Sequence, residues 1–203
     1  MFVKPPKFIQ LFFPSIVWRK ENSKNNIWLT FDDGPSPEAT PFILHVLKKE
    51  RVKATFFLVG ESIEQHPQLY NQIITDGHVV ANHSYSHKNG WKSSNSAYFK
   101  DIDKCQALIN GNKLFRPPYG KISPSQIKHL KNIYQIILWD VLSWDFSLKI
   151  KPKKIKENIL NNTKSGSILV LHNNDKSLKN LKPILRETIQ KLKQKGFLFS
   201  TTW

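Results

Sequence analysis

Short apolar runs rich in β-formers alternate with amphipathic stretches from residue 27 to the C-terminus, and no other feature limits the fold as much. The expected strands are 27–31, 54–59, 78–81, 114–115, 133–139, 167–171 and 197–200. The expected helices are 37–49, 63–75, 97–109, 123–130, 152–160 and 178–195. Strands separated by helix-length segments read as βα units, which place neighbouring strands parallel. Seven strands with short links suit a barrel better than an open sheet. The expected fold class is therefore α/β, a (β/α) barrel of about seven parallel strands. No repeat, low-complexity tract or long linker divides the 203 residues, so a single domain is expected, able to bury roughly 70% of its unfolded surface.

A parallel barrel brings the C-terminal ends of its strands to one face, where active sites sit. Asp32-Asp33, Arg116, Asp145 and His172 all fall at or just after such ends, though up to 140 residues separate them. They are expected to be neighbours in space.

Thr30-Phe31-Asp32-Asp33-Gly34-Pro35 places two adjacent carboxylates where an apolar run meets a turn. Adjacent carboxylates repel, and a cation or proton makes such a pair tolerable. One carboxylate can face a metal while the other stays free as a base. Asp-Gly-Pro is also ordinary turn chemistry, so the motif alone admits a solvated loop. His83-Ser84-Tyr85-Ser86-His87 sets two imidazoles four apart, expected on the same side of one helical turn. With Asp33 they make a two-histidine, one-carboxylate set with open positions, the pattern of a catalytic metal site. Two surface histidines are the plainer reading of that spacing alone.

Arg116-Pro117-Pro118-Tyr119-Gly120 is a rigid turn, because its two prolines fix φ. Arg116 is one of only four arginines, and a guanidinium can grip a carboxylate through two N–H groups, with Asp32 the natural partner. Ile168-Leu169-Val170-Leu171-His172 ends a buried run in an imidazole. A carboxylate such as Asp145, in Trp139-Asp140-Val141-Leu142-Ser143-Trp144-Asp145-Phe146, could hold its tautomer and raise its pKa, making a general acid. Val170 shares the His172 face of its strand, so Val170 and Phe146 are expected to wall a small apolar pocket.

The motifs TFDDGP, NHSYSH, RPPYG, WDVLSWDF and ILVLH, in this order, resemble those of the polysaccharide deacetylase family, the NodB-homology domain or carbohydrate esterase family four. The resemblance runs from about Asn26 to the C-terminus. It implies a distorted (β/α) barrel over residues 26–203, with 1–25 as a lead-in packing on it. The implied reaction is hydrolysis of N-acetyl groups on a sugar polymer such as peptidoglycan or a chitin-like oligosaccharide. It also implies Asp32 as catalytic base, steadied by Arg116, and His172 as general acid, tuned by Asp145. Asp33, His83 and His87 would be metal ligands, and the Tyr119 amide would help bind the oxyanion. The ligand set suits zinc first, with cobalt or nickel also admissible. Two positions depart from the family pattern: Leu142 stands where an Asp is usual, and Phe146 where a Trp is usual. Both touch the pocket more than the chemistry. Alternatives are an O-acetyl esterase on xylan or another acetylated glycan, and a non-catalytic module binding a glycan or polyanion.

The charge of +16 is compatible with an anionic polymer or membrane surface, but it is spread along the chain with no block of five like charges. A nucleic-acid partner is not expected. Residues 8–18 are apolar but short and broken by Pro14, below the ~20 residues of a spanning helix. No small-residue cleavage site follows, so no export signal is legible. The expected compartment is the cytoplasm by default, with the cell envelope or a membrane surface as alternatives. One cysteine, Cys105, excludes an internal disulfide.

Overall fold

The computed structural model describes residues 3–21 and 24–203. Met1, Phe2, Asn22 and Ser23, which fall in the expected 1–25 lead-in, lie outside the described residues. Nine strands form one sheet among the described residues: β1 (Ile16–Val17), β2 (Asn26–Asp33), β3 (Thr55–Leu58), β4 (Val79–Asn82), β5 (Leu114–Phe115), β6 (Gln135–Ile137), β7 (Val141–Leu142), β8 (Ile168–His172) and β9 (Leu198–Phe199). Their order is β1-β6-β5-β4-β3-β2-β8-β7, with β9 beside the start of β2, and every ladder is parallel. β1 and β7 end the order without pairing with each other, so the sheet curls into an incompletely closed (β/α) barrel. The helices are α1 (Lys7–Phe12), α2 (Ala39–Lys49), α3 (Gly60–Gln65), α4 (Pro67–Thr75), α5 (Asn95–Gln106), α6 (Pro124–Leu130), α7 (Pro152–Asn162), α8 (Asp175–Leu181) and α9 (Leu185–Gln194).

Two expected helices are each divided. The segment 63–75 breaks at His66, because Pro67 begins α4 and pushes the residue before it out of the helical region. The segment 178–195 breaks over 182–184, where Lys182 is still helical but Pro183 has no N–H to continue the helix ladder. Two strands, β1 and β7, are additions to the expected seven: at two residues each they are too short to show periodicity. β1 pairs with β6, Val3 O accepts the Leu142 N–H at 2.8 Å, and Arg19 bridges Ser167. No helix among the described residues is long and apolar enough to cross a membrane.

β2 shows how the alternation of a strand divides the core. Ile27, Leu29 and Phe31 join the cluster under the outer helices, with Ile43, Leu47, Ile159 and Ile189. Trp28, between them, packs with Phe57, Ala81, Leu114, Ile137 and Ile168 in a separate inner cluster. Trp203 closes this inner layer, its ring centroid 6.1 Å from that of Trp28 and its Nε1–H donated to Thr55 Oγ1 at 2.9 Å. Continuing along β2, Thr30 and Asp32 share the face of Trp28 and carry the barrel interior from apolar to polar.

Parallel register then sets the site. Asp32 lies beside His172 on β8 and beside Phe57 on β3, and Asp33 beside Leu58. Asn82, which ends β4, pairs with Phe115, which ends β5, so His83 and Arg116 leave the sheet together. Leu142 pairs with Val170.

Candidate active site

Arg116 is fully buried, and its guanidinium lies inside the barrel, 3.9 Å above the Phe57 ring. It donates to Asp32 Oδ1 at 2.6 Å, Thr30 Oγ1 at 2.7 Å, Leu138 O at 3.2 Å and Ile137 O at 3.3 Å. Its grip on Asp32 is thus a single N–H rather than a two-pronged fork, because the other donors satisfy interior oxygens. A buried cation needs that full set of acceptors. Asp32 is 3% exposed, and its backbone carbonyl accepts the Asn173 N–H at 2.7 Å.

Asp33 takes a left-handed conformation (φ 80°), rare for a residue with a side chain and a mark of functional turns. Its Oδ1 lies 3.6 Å from His83 Nε2 and 3.2 Å from His87 Nε2, and its Oδ2 accepts the Asn174 Nδ2–H at 2.6 Å. One ligand atom from each of Asp33, His83 and His87 lies within 4.8 Å of the others. The loop 83–88 is not the helical turn expected from the spacing. Ser84 (φ 62°) and His87 (φ 53°) are left-handed, and Asp101 on α5 ties the loop down. Asp101 Oδ2 accepts the N–H groups of Tyr85 (2.9 Å) and Ser86 (3.0 Å), and Oδ1 accepts the Ser86 hydroxyl at 2.7 Å.

The donor set fits a divalent cation on its own chemistry. His83 Nδ1 is 2.7 Å from the Arg116 carbonyl, which can only accept, so Nδ1 carries the proton. Burial pushes the His83 imidazole down to about 4, so the ring is neutral at pH 7. Its Nε2 lone pair therefore faces the Asp33 carboxylate, acceptor against acceptor, an arrangement a cation resolves. His87 Nδ1 is held at 3.1 Å by the Tyr119 hydroxyl, with the rings edge to face at 4.5 Å. Anchoring one ring nitrogen and leaving the other free is how proteins aim ligating histidines. Burial opposes ionisation of Asp33, but its hydrogen bond with His87 and the nearby His172 outweigh that and hold its carboxyl below the usual range.

His172 is oriented by one carboxylate. Its Nδ1 is 2.7 Å from Asp145 Oδ1 and its backbone N–H donates to Asp145 Oδ2 at 2.7 Å. Asp145 is fully buried and also accepts the Ser143 hydroxyl at 2.8 Å, while Asn180 Nδ2 donates to its backbone carbonyl at 2.8 Å. Burial lowers the His172 pKa, but the Asp145 charge and hydrogen bond prevail, with help from Asp33 and Asp32, and raise it to about 9.

These groups line one cleft of about 600 Å³. Val170 and Phe146 wall it as expected, joined by Leu142, Trp139 and Trp144. The Phe146 ring meets His172 edge to face at 5.0 Å and Trp144 at 5.1 Å. Tyr119 is left-handed (φ 61°), so the chain turns sharply at its amide beside the cleft. Every residue singled out from the sequence thus reaches one site. Missed were Asn174, Trp139, Trp144, Lys121 and Lys176 on the cleft, and Asp101 behind the histidine loop. Asn174 sits just past a strand end and the two tryptophans lie inside a quoted motif. Asp101 has no local signal.

A family model described as polysaccharide deacetylase matches residues 19–134, more than half of the chain. The chain belongs to the polysaccharide deacetylase family. Within this family, a peptidoglycan-N-acetylglucosamine deacetylase of Bacillus cereus is 38% identical over 186 residues, spanning 88% of this chain and 67% of that protein. A crystal structure of a peptidoglycan N-acetylglucosamine deacetylase, in complex with 4-naphthalen-1-yl-N-oxidanyl-benzamide, superposes with a TM-score of 0.88 at 34% identity, covering 95% of this chain and 93% of that one. A family pseudoenzyme from Bacillus anthracis also superposes, with a TM-score of 0.81 at 26% identity, covering 92% of this chain and 66% of that one. The polysaccharide deacetylase fold therefore also carries members described as inactive, and activity must be argued from the site.

Proposed function

We propose that this protein is a metal-dependent polysaccharide N-deacetylase that releases acetate from N-acetylglucosamine units of peptidoglycan or a chitin-like oligosaccharide. Residues 26–203 are its catalytic domain and 1–25 its lead-in. The observation that carries the reading is the register pairing of Asp32 with His172, a base and an acid side by side at the mouth of the barrel. Asp33, His83 and His87 would hold the cation, zinc first and cobalt or nickel next. When bound, a divalent cation here supplies Lewis-acid polarisation of the acetyl carbonyl and an acidified water.

The chain's own residues do the rest. Asp32, held by Arg116, takes a proton from the water that adds to the carbonyl carbon. The Tyr119 N–H helps stabilise the negative oxygen of the tetrahedral species. His172, whose raised pKa keeps it an imidazolium at pH 7, gives its Nε2 proton to the sugar nitrogen as the C–N bond breaks. Acetate and a free amine result. Val170, Phe146 and Leu142 make the apolar wall available to the acetyl methyl group.

Three points support this reading over an idle glycan-binding module or an O-acetyl esterase. Every group assigned to proton transfer or ligation is present. An amide leaving group needs protonation more than an alkoxide does, and an acid of raised pKa meets that need. The N-oxidanyl-benzamide bound by the related deacetylase carries a bidentate oxygen group of a kind that chelates metal ions.

The test is acetate release by the zinc-loaded protein from N-acetylglucosamine oligomers, peptidoglycan and acetylated xylan, with Asp32→Asn as blank. Release from an amide substrate by wild type alone is expected. Release from xylan only would replace the reading with the esterase.

A further inference from the structure

Trp91 is 65% exposed, yet it is firmly held. Its indole Nε1–H donates to Ile122 O at 3.0 Å and its backbone N–H to Asn89 Oδ1 at 3.0 Å. Gln126 Nε2 donates to Gly90 O at 2.9 Å, and a Cβ on Gly90 would come within 2.5 Å of Lys121 O. The 3-10 turn Gly90–Lys92 is therefore fastened against the segment that leaves the Tyr119 turn.

That segment is shared by two concavities. Tyr119 and Lys121 line the catalytic cleft; Gly120 and Ile122 line a neighbouring groove of about 450 Å³ that also includes Trp91. Lys121 lines the cleft, and its Nζ lies 5.3 Å from the centroid of the Trp91 ring, which lines the groove. A linear polymer with its reacting unit in the cleft can cross this strip into the groove.

We propose that Trp91 and Lys121 form a second sugar subsite: the pyranose next to the reacting unit lies on the indole, and a carboxylate borne by that neighbour pairs with Lys121. The inference rests on reading the cleft as a glycan deacetylase site.

The chemistry follows from both partners. A pyranose presents a face of C–H bonds that is apolar and slightly positive, and the indole face is apolar and negative. An aromatic ring fixed before binding loses little entropy on contact. The two acids of the cleft are already engaged, Asp32 by Arg116 and Asp33 by Asn174 and the histidines. The Lys121 ammonium has the Trp91 ring as a partner, an attraction that a carboxylate can join without displacing it. A polymer with acidic neighbours is thereby favoured over a neutral one.

The experiment measures binding by calorimetry in an Asp32→Asn background, which removes turnover, alongside acetate release by wild type. Ligands are N-acetylglucosamine tetramer and a peptidoglycan-derived tetrasaccharide carrying carboxylates. Adding Trp91→Ala is expected to weaken both by about threefold to tenfold, with Trp91→Phe retaining most of the affinity because the aromatic face remains. Lys121→Gln is expected to weaken only the carboxylated ligand. Unchanged tetramer binding by Trp91→Ala overturns the subsite, as does a Trp91→Phe loss equal to that of alanine. Equal effects of Lys121→Gln on the two ligands overturn the acidic preference. No acetate from wild type, with binding still sensitive to Trp91, would instead overturn the deacetylase reading and leave the subsite standing.

Discussion

Asp145 holds both the ring and the backbone of His172: one carboxylate oxygen is 2.7 Å from Nδ1 and the other 2.7 Å from the His172 N–H. The side chain is thus aimed by a single fully buried group, which is also the main source of its charge. Its Nε2 is the nitrogen left for proton transfer.

The first prediction concerns pH. The folded-state pKa of His172, about 9, lies above its ordinary 6.5. The stability gained from the pair is therefore full below about 6.5 and lost as pH rises through about 9. Asp145→Asn should accordingly cost more stability near pH 6 than near pH 10, as read by urea melts of the metal-free protein. The same variant should lose on the order of 10²-fold in kcat and move the basic limb of the pH–rate profile to lower pH. A basic limb that stays in place would remove Asp145 from this role.

Arg116 gives the second. Arg116 is the only buried arginine or lysine among the described residues, and its guanidinium pairs with Asp32 at 2.6 Å. Arg116→Gln should destabilise the fold by about 3–5 kcal/mol, because it leaves a buried carboxylate without its partner. Adding Asp32→Asn should recover part of that loss, since the second change removes the stranded charge. Simple additivity in the urea-melt cycle would show that the two side chains act independently.

The third concerns Asp101, which touches no substrate-facing atom yet pins the loop that carries His83 and His87. Asp101→Ala should lower zinc affinity about 10–100-fold by calorimetry, as loss of supporting contacts around ligands does. Faster hydrogen exchange at the Tyr85 and Ser86 amides should accompany it. Undiminished zinc affinity would make Asp101 a helix-surface residue with no hold on the site.

How far the site could be read in advance follows from which contacts are local. Asp32, Asp33, His83, Arg116 and His172 sit at strand ends, and parallel register does the gathering, so alternation and motifs sufficed for them. The same strand logic anticipated Val170 and Phe146 on the cleft wall. Asp101 could not be read that way: its Tyr85 and Ser86 partners are 16 and 15 residues away, and two of these contacts are to backbone N–H groups, which leave no side-chain pattern. The left-handed turns at Ser84, His87, Tyr119 and Trp144 were equally silent, because none falls on a glycine. Pro67 and Pro183 did announce their helix breaks, and the apolar periodicity running through both concealed them.

The last prediction is at Gly34, directly after the two carboxylates. A Cβ there would come within 2.0 Å of Asn173 Nδ2, 2.5 Å of its Cγ and 3.0 Å of its carbonyl oxygen. Asn173 cannot easily yield. It is fully buried, its N–H is donated to Asp32 O at 2.7 Å, and its Oδ1 accepts the Thr40 hydroxyl at 2.9 Å. Gly34→Ala should therefore cost about 1–3 kcal/mol, the range of an overpacked interior, and lower activity by shifting Asp33 against His172. Asn173→Ala removes the two closest atoms, so the double variant should be more stable than additivity allows. If Gly34→Ala melts like wild type, the carboxylate turn has slack, and its placement of Asp33 must come from the Asn174 hydrogen bond instead.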